Sequence, residues 1–407
     1  MKKMNNIIDY IEWRGDLTFQ QSAFNEVDNL IFAQISYLNL GVIKGQIKIE
    51  ELGKIYRKKI ASRENKSEND VSDFTERVEV MFLKASESRR FKDVLVTSFV
   101  NKFDEVRESQ FSAMTFIIND DLMYVAYRGT DDTLVGFKEN LNMSFSAPVP
   151  GQMDAVRYLK SILERFGQSE IIVGGHSKGG NFAVFAVSQL TDRERERIST
   201  IYNNDGPGFT ENILNSEGYK KTVGKVKKYI PEDSFVGILM DDEEECTVVS
   251  ASASSGILQH DGLNWDVKGT EFIRKESVSK KSVFVDKTIK HWLEGLNREE
   301  REEFVNELYA ILKKSMNANR LNDIFGNRFK STYYFIKKMG SLEEDKREML
   351  QNTVLKLIQS GSEIKREEKE NERNRRINSR KKKKIDNLSD KELRKFILKK
   401  ISTNKEK

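Results

Sequence analysis

Two spacings of apolar residues alternate along this chain, and each predicts a different element. In residues 1–50 the apolar and aromatic positions Trp13, Phe19, Phe24, Leu30, Ile31 and Tyr37 stand among polar ones, and 28–32 reads as part of an amphipathic helix packed on a core. Residues 51–92 are charged and helical in pattern, with Val78, Met81, Phe82 and Leu83 on one side. Strand-like runs follow at 111–118 and 122–127, joined through Asn119-Asp120-Asp121 as a hairpin. A helical pattern at 153–166 then leads to a strand at 171–173. Helix 180–190 and strands 199–203, 226–230 and 246–251 come next. Alternation of this kind predicts a mostly parallel sheet with helices on its faces.

From about Asn297 the pattern turns helical and highly charged, with apolar positions at Phe304, Leu308, Leu312, Leu350, Val354 and Leu357. The expected organisation is therefore an α/β domain over 1–295, a helical appendage over 296–362 and a basic, disordered tail over 363–407. Within that tail Leu393, Phe396, Ile397 and Ile401 keep a short helix-like spacing.

Composition refines this picture. With 407 residues, 38% of them hydrophobic, the chain is long enough for a substantial core and an appended segment. A single cysteine, Cys246, excludes an intramolecular disulfide and suits a reducing compartment. The start, MKKMNNIIDYIEWRGD, lacks the apolar stretch of a signal peptide, and no run approaches the ~18 apolar residues of a membrane span. A soluble, cytoplasmic protein is expected. The net charge of +5 conceals an asymmetry: residues 363–407 hold 18 Lys and Arg against 9 Asp and Glu, leaving 51 against 55 in residues 1–362. The basicity belongs to the tail. The body does not read as a nucleic-acid enzyme.

The richest chemistry lies at 171–187, IIVGGHSKGGNFAVFAV. An apolar run passes through Gly175-His176-Ser177-Lys178-Gly179 into a helical pattern. This G-x-S-x-G turn between strand and helix suits a nucleophilic serine. Glycines flank it because side chains there would meet the neighbouring backbone. The helix start behind it can stabilise developing negative charge. The same letters arise in ordinary glycine-rich turns, so partners decide the reading. A serine hydroxyl needs a base, and the base needs an orienting acid. The histidines are His176, His260 and His291. His176 lies inside the turn with its ring expected to point away from Ser177, and His291 sits in a helical pattern. His260, in a loop after a strand, is the expected base.

The chain order Ser, acid, His confines the acid to residues 177–260. Asp233, after the strand ending at Ile230, is the first choice. Asp205, in Asn204-Asp205-Gly206-Pro207-Gly208, is the main competitor, and Glu232 is a lesser alternative. The acidic run 241–245 reads as a solvated turn. For the oxyanion, the Lys178 amide follows the nucleophile, and Thr130 in Tyr127-Arg128-Gly129-Thr130 offers a second donor at a strand end.

These elements together carry a resemblance. Tyr127-Arg128-Gly129-Thr130, the segment GFKENLN at 136–142 and GHSKGG resemble the class 3 lipases, which are α/β-hydrolases. More similar still is a bacterial, lipase-like α/β-hydrolase family, found mostly in Gram-positive bacteria. It shares the GHSKGGN turn, the N-D-G-P-G-F strand end, the P-E-D-S loop and the His260-x-x-x-x-Trp265 spacing. The likeness spans about residues 5–270. It implies an α/β-hydrolase fold and a Ser-His-Asp triad, with no substrate attached. Lys178 departs from the apolar residue usual in class 3 lipases. It could steer an anionic substrate or lay its stem along the helix. A strongly apolar lid is not evident, and Met143, Phe145, Ala147, Pro148, Val149 and Pro150 form the candidate mouth.

The expected activity is cleavage of a carboxylic ester through an acyl-enzyme, needing no metal or organic cofactor. The alternative is a non-catalytic interaction protein on the same scaffold. The expected partner is an ester or lipid substrate. The basic run 380–384 suits either a solubilising tail or contact with an anionic membrane, and nucleic acid is not expected.

Overall fold

A computed structural model describes residues 5–41, 43, 45–64, 72–131, 133–167, 169–254, 256–316 and 343–386. The chain opens with helices α1 (Ile7–Arg14) and α2 (Glu26–Ile35), strand β1 (Gln46–Lys48), and helices α3 (Ile49–Glu64) and α4 (Asp73–Glu87). Asn6 and Asn25 start the first two helices as capping boxes, each side chain accepting from the backbone while Asp9 or Asp28 reaches back. Strands β2 (Leu95–Asp104), β3 (Ser109–Ile117) and β4 (Leu122–Tyr127) form an antiparallel meander. Helices α5 (Leu134–Asn142) and α6 (Pro150–Arg165) lead to β5 (Glu170–His176), α7 (Lys178–Ser188), α8 (Asp192–Glu196) and β6 (Ile198–Asn204). The short helices α9 (Glu211–Leu214) and α10 (Glu217–Thr222) precede β7 (Val226–Pro231) and β8 (Cys246–Val249). A one-turn helix α11 (Gly256–Gln259) and the small hairpin β9 (Val267–Lys268) and β10 (Glu271–Phe272) complete this part.

The eight strands of the main sheet lie in chain order, β1 to β8. Pairings from β1 to β4 are antiparallel and those from β4 to β8 are parallel. Right-handed crossovers between sequential parallel strands all fall on one face, so α6 and α7 share that side. Alternation along the strands divides the core accordingly. Met123, Val125, Tyr127, Ile171 and Val173 pack with Leu159 and Phe182 of the crossover helices. Tyr124, Ala126 and Ile172 face the N-terminal helices through Leu30, Phe32 and Phe82. This is an α/β-hydrolase fold, a mostly parallel sheet flanked by helices with a helical C-terminal region.

Helices α1 to α4 thus form the layer on the other face of the sheet. Their buried anchor is the pair Asp28–Arg90, with Arg90 Nε 2.7 Å from Asp28 Oδ1 and Nη2 2.5 Å from Oδ2. Arg90 also donates to the carbonyls of Ser22 and Ala23, which satisfies its remaining protons where water is excluded. The strand pattern at 95–104 was not anticipated. A register shift between Thr97 and Val100, with Ser98 at φ 55°, breaks its alternation.

The appendage comprises α12 (Lys280–Glu294), α13 (Arg298–Met316) and α14 (Glu344–Asp386). Helix α14 runs straight through the boundary expected at 362/363, where a disordered tail was to begin. After Gly361 its sequence is dominated by Glu, Lys and Arg and has neither Gly nor Pro, so nothing local stops the helix. The helix-like spacing at 393–401 lies outside the described residues. The appendage holds the main domain at two places. Ser282 of α12 donates to the Ser234 carbonyl at 2.6 Å, and Lys290 pairs with Asp241 at 2.9 Å. On α13, Arg301 donates to the Ser144 carbonyl at 3.3 Å and Lys313 pairs with Glu105.

Candidate active site

Register brings the key residues together. His176 at the end of β5 pairs with Asn204 at the end of β6, so Ser177 and Asp205 are the next residues on adjacent strands. Both leave the sheet through positive φ, 58° at Ser177 and 53° at Asp205. For residues other than glycine this conformation is strained and persists only when neighbours over-determine it. Here the Ser177 amide donates to the Asn204 carbonyl at 2.9 Å, and the Asp205 amide to the Tyr229 carbonyl at 2.7 Å. Close backbone approach fixes the turn from behind. A Cβ on Gly179 would lie 2.1 Å from the Tyr127 carbonyl oxygen, and one on Gly175 2.4 Å from the Gly179 backbone.

His260 donates from Nδ1 to Asp205 Oδ2 at 2.6 Å. That bond assigns the proton to Nδ1 and leaves the Nε2 lone pair available as a base. The other oxygen of Asp205 accepts from Ser234 Oγ at 2.5 Å and from the Gly237 amide at 3.1 Å. The acid preferred from the sequence, Asp233, is therefore displaced by Asp205 as the partner of His260. The Asp233 amide instead donates to Gln259 Oε1 at 2.8 Å, anchoring the loop before His260. The P-E-D-S loop meets the acid through its serine. What brings Asp205 to His260 is register: its strand neighbours the strand that leads to Ser177, whereas Asp233 lies one strand further out.

The loop of His260 is held from several sides. Trp265, fully buried, donates from Nε1 to the Gln259 carbonyl at 2.9 Å. Arg77 of α4 pairs with Asp261 and donates to Asn264 at 3.2 Å. His176 supplies the nearest tie. Its Nε2 lies 2.7 Å from the His260 carbonyl oxygen, and its Nδ1 lies 2.9 Å from Tyr37 Oη. A carbonyl can only accept, so Nε2 carries the proton and Nδ1 receives the Tyr37 hydroxyl. Burial, together with the charge of His260, pushes the His176 pKa down to about 3 and keeps this ring neutral. Tyr37 also packs on the next loop, where a Cβ built on Gly129 would lie 2.2 Å from its hydroxyl, so one side chain touches both the 128–131 loop and the ring beside Ser177. The sequence placed Tyr37 only in the core. Nothing in the spacing marks it.

Toward the turn expected to hold the oxyanion, a Cβ at Gly129 would sit 3.0 Å from Ser177 Cβ, which places the Arg128-Gly129-Thr130 turn against Ser177. Thr130 Oγ1 accepts from Asn140 Nδ2 at 2.6 Å, which fixes its rotamer. Lys178 opens α7, and the amide of a first helical residue has no partner within its helix.

The Lys178 side chain reaches neither solvent nor substrate. It is fully buried and pairs with Glu139 of α5 at 2.9 Å, also donating to the Gln110 carbonyl at 3.1 Å. Glu139 accepts from the Gly151 and Gln110 amides at 2.8 and 3.1 Å. This buried knot ties α5, α6 and β3 to the residue after Ser177. The steering role considered for Lys178 is replaced by an internal one.

Two other readings change. Met143 and Val149 of the candidate mouth belong to the core, with Phe145 and Ala147 half-buried. The acidic run at 241–245 is not simply solvated: Asp242 pairs with the buried Lys228, and Glu244 is buried with Oε2 accepting from Asn203 at 2.8 Å. Burial pushes the Glu244 carboxyl up to about 7 against the attraction of Lys228. His291 lies in α12 as expected from its helical pattern, with Nδ1 3.0 Å from Ser360 Oγ. Among the described residues no group of three or more His, Cys, Asp or Glu is arranged to hold a metal ion. No described helix is long and apolar enough to cross a membrane.

Residues 85–310 match the family model described as Mbeg1-like. Three solved structures illustrate the structural likeness. The native Rhizomucor miehei lipase–propeptide complex is 15% identical, with 42% of this chain and 70% of that chain covered and a TM-score of 0.31. Lipase II from Rhizopus niveus is 16% identical, with 46% and 74% covered and a TM-score of 0.31. M37 lipase is 15% identical, with 54% and 71% covered and a TM-score of 0.30. No curated protein matches the sequence significantly.

Proposed function

The chain belongs to the Mbeg1-like family, and from that premise we propose that it is a serine hydrolase acting on a carboxylic ester or lipid substrate. Ser177 is the nucleophile, His260 the general base and Asp205 its orienting acid, with the Thr130 and Lys178 amides holding the oxyanion. One observation carries this reading: the 2.6 Å bond from His260 Nδ1 to Asp205 beside a serine at φ 58°.

In the forward step His260 Nε2 takes the Ser177 proton as Oγ attacks the acyl carbonyl. The imidazolium that forms is stabilised by Asp205, whose carboxylate is already oriented by Ser234 and Gly237. Negative charge on the tetrahedral oxygen falls toward the Lys178 amide at the start of α7 and the Thr130 amide in the turn after β4, where fixed donors are worth most. His260 then returns the proton to the leaving alcohol. Water repeats the sequence in reverse and frees the acid product. The buried Lys178–Glu139 pair holds the residue that follows Ser177 and leaves the substrate's charge unselected.

The test is labelling with a fluorophosphonate probe alongside turnover of p-nitrophenyl esters. Wild type should label and turn over, and Ser177→Ala should do neither. Equal labelling of the two would remove Ser177 from the mechanism. A folded wild type that neither labels nor turns over would favour the non-catalytic scaffold.

A further inference from the structure

Helix α14 meets the rest of the protein along one seam. Leu350, Thr353, Ser360 and Ile364 are buried, the Trp292 indole of α12 donates to the Thr353 carbonyl at 3.0 Å, and Lys356 pairs with Glu300 of α13 at 2.9 Å. Away from that seam stand Val354, Leu355 and Ile358, 42%, 52% and 61% exposed. At ~100° per residue these three fall within an arc of about 100°, centred more than ~120° from the buried seam. Three large apolar side chains in one exposed sector are unusual on a helix whose other outward positions are polar.

The same sector continues as a basic stripe. Lys365, Lys369 and Arg373 fall within it and Arg366 at its edge, and all four are exposed. From Val354 to Asn371 no acidic residue does, and by spacing Glu372 is the first to return to it. Glu363 and Glu368 turn toward α12 instead, lying 3.5 Å from His291 and 3.6 Å from Lys287. No ion pair among the described residues occupies Lys365, Arg366 or Lys369. In sequence the spacing goes on through Arg376, Arg380 and Lys383.

We propose that this face of α14 docks on an anionic lipid bilayer. The apolar triad enters the boundary between headgroups and acyl chains, and the basic stripe lies over the headgroups. The triad decides the kind of partner. A phosphate backbone would match the basic stripe equally well but leave Val354, Leu355 and Ile358 with nothing apolar to meet. The docking does not depend on the chemistry of Ser177, so its success or failure is separable from that of the hydrolase reading.

The experiment is flotation of the full chain with phosphatidylcholine vesicles and with phosphatidylcholine–phosphatidylserine vesicles, at low and physiological salt. Binding is expected on the anionic vesicles alone, weakening as salt rises. Ser177→Ala should bind as wild type does. Lys365→Glu with Arg366→Glu and Lys369→Glu should lower binding at least about tenfold. Val354→Ser with Leu355→Ser and Ile358→Ser should also weaken it while circular dichroism remains unchanged. Equal binding by the charge variant and wild type would overturn the proposal, as would the absence of binding to anionic vesicles. A DNA duplex bound more tightly than the vesicles, and equally well by the apolar variant, would assign the face to nucleic acid instead.

Discussion

The loops after β6 and β7 each present an aspartate, and in the sequence the two are hard to rank. Asp205 follows Asn203-Asn204 and Asp233 follows Pro231-Glu232, both at the ends of apolar strands. In the fold they differ sharply. Asp205 is fully buried and its carboxylate receives His260, Ser234 and Gly237, whereas Asp233 engages its surroundings through its amide. A carboxylate is useful as an orienter when its position is imposed by more donors than its own bond to histidine. Chain order narrows the choice of acid, and convergence of donors makes it.

The sharpest way to break that comparison is to neutralise each acid in turn. Asp205→Asn should lower kcat/KM on a p-nitrophenyl ester by about 10³–10⁴-fold, because the amide no longer favours the Nδ1–H tautomer. Asp233→Asn should stay within about threefold, since an exchanged side chain leaves the backbone bond to Gln259 in place. Reversal of that order would restore Asp233 as the acid. Next comes another carboxylate gripped by several donors, Glu139. Glu139→Gln leaves the Lys178 ammonium buried beside a neutral partner, at a cost of about 3–5 kcal/mol measured by chemical denaturation.

Acid titration sharpens the contrast through His176, the ring that ties the His260 loop. Its folded pKa of about 3 lies below the usual histidine value, so in that window the unfolded chain binds the extra proton. Its contribution to stability is complete above the unfolded value and falls with pH by ~1.4 kcal/mol per unit toward pH 3. Glu244, raised to about 7, acts oppositely between its unfolded value of ~4.5 and 7, favouring the fold as pH falls. The two offset each other above about pH 4.5, so the His176 slope should emerge below that pH and be reduced in His176→Gln. A smaller loss than that of Asp205→Asn is expected from Ser234→Ala, which removes one of the donors that distinguish Asp205. About tenfold in kcat/KM, with unchanged KM, would match the loss of one hydrogen bond to a charged group.

Much of the scaffold was legible because its signals are local. The strand-to-helix passage around Ser177 depends on Gly175 and Gly179, where a Cβ would meet backbone, and on Gly180, where it would meet the Asn203 side chain, and these contacts explain why those letters are there. His260 stood out because histidine is scarce and only one lies in a suitable loop. The acid was harder, since strand register is a relation among three segments and no single segment encodes it. Tyr37 and Glu139 were out of reach for the same reason. Tyr37 acts from 139 residues before the ring it holds, and Glu139 from 39 before Lys178. Lys178 misled in the opposite direction, because a lysine beside a reactive serine suggests an exposed charge while its partner is buried with it. The helix runs past Gly361 to Asp386 because a charged run without apolar periodicity can still be a helix when each residue favours one.

The hydroxyl of Ser234 reaches the Asp205 carboxylate, and its carbonyl receives the hydroxyl of Ser282 on α12. A single residue thus separates Asp205, the proposed acid, from the first helix of the appendage. The C-terminal third is consequently a poor candidate for modular exchange. A protein shortened before α12 would retain Ser177, Asp205 and His260 and lose the prop behind the acid's own donor. The appendage and the Asp205–His260 pair are in that sense one mechanical unit.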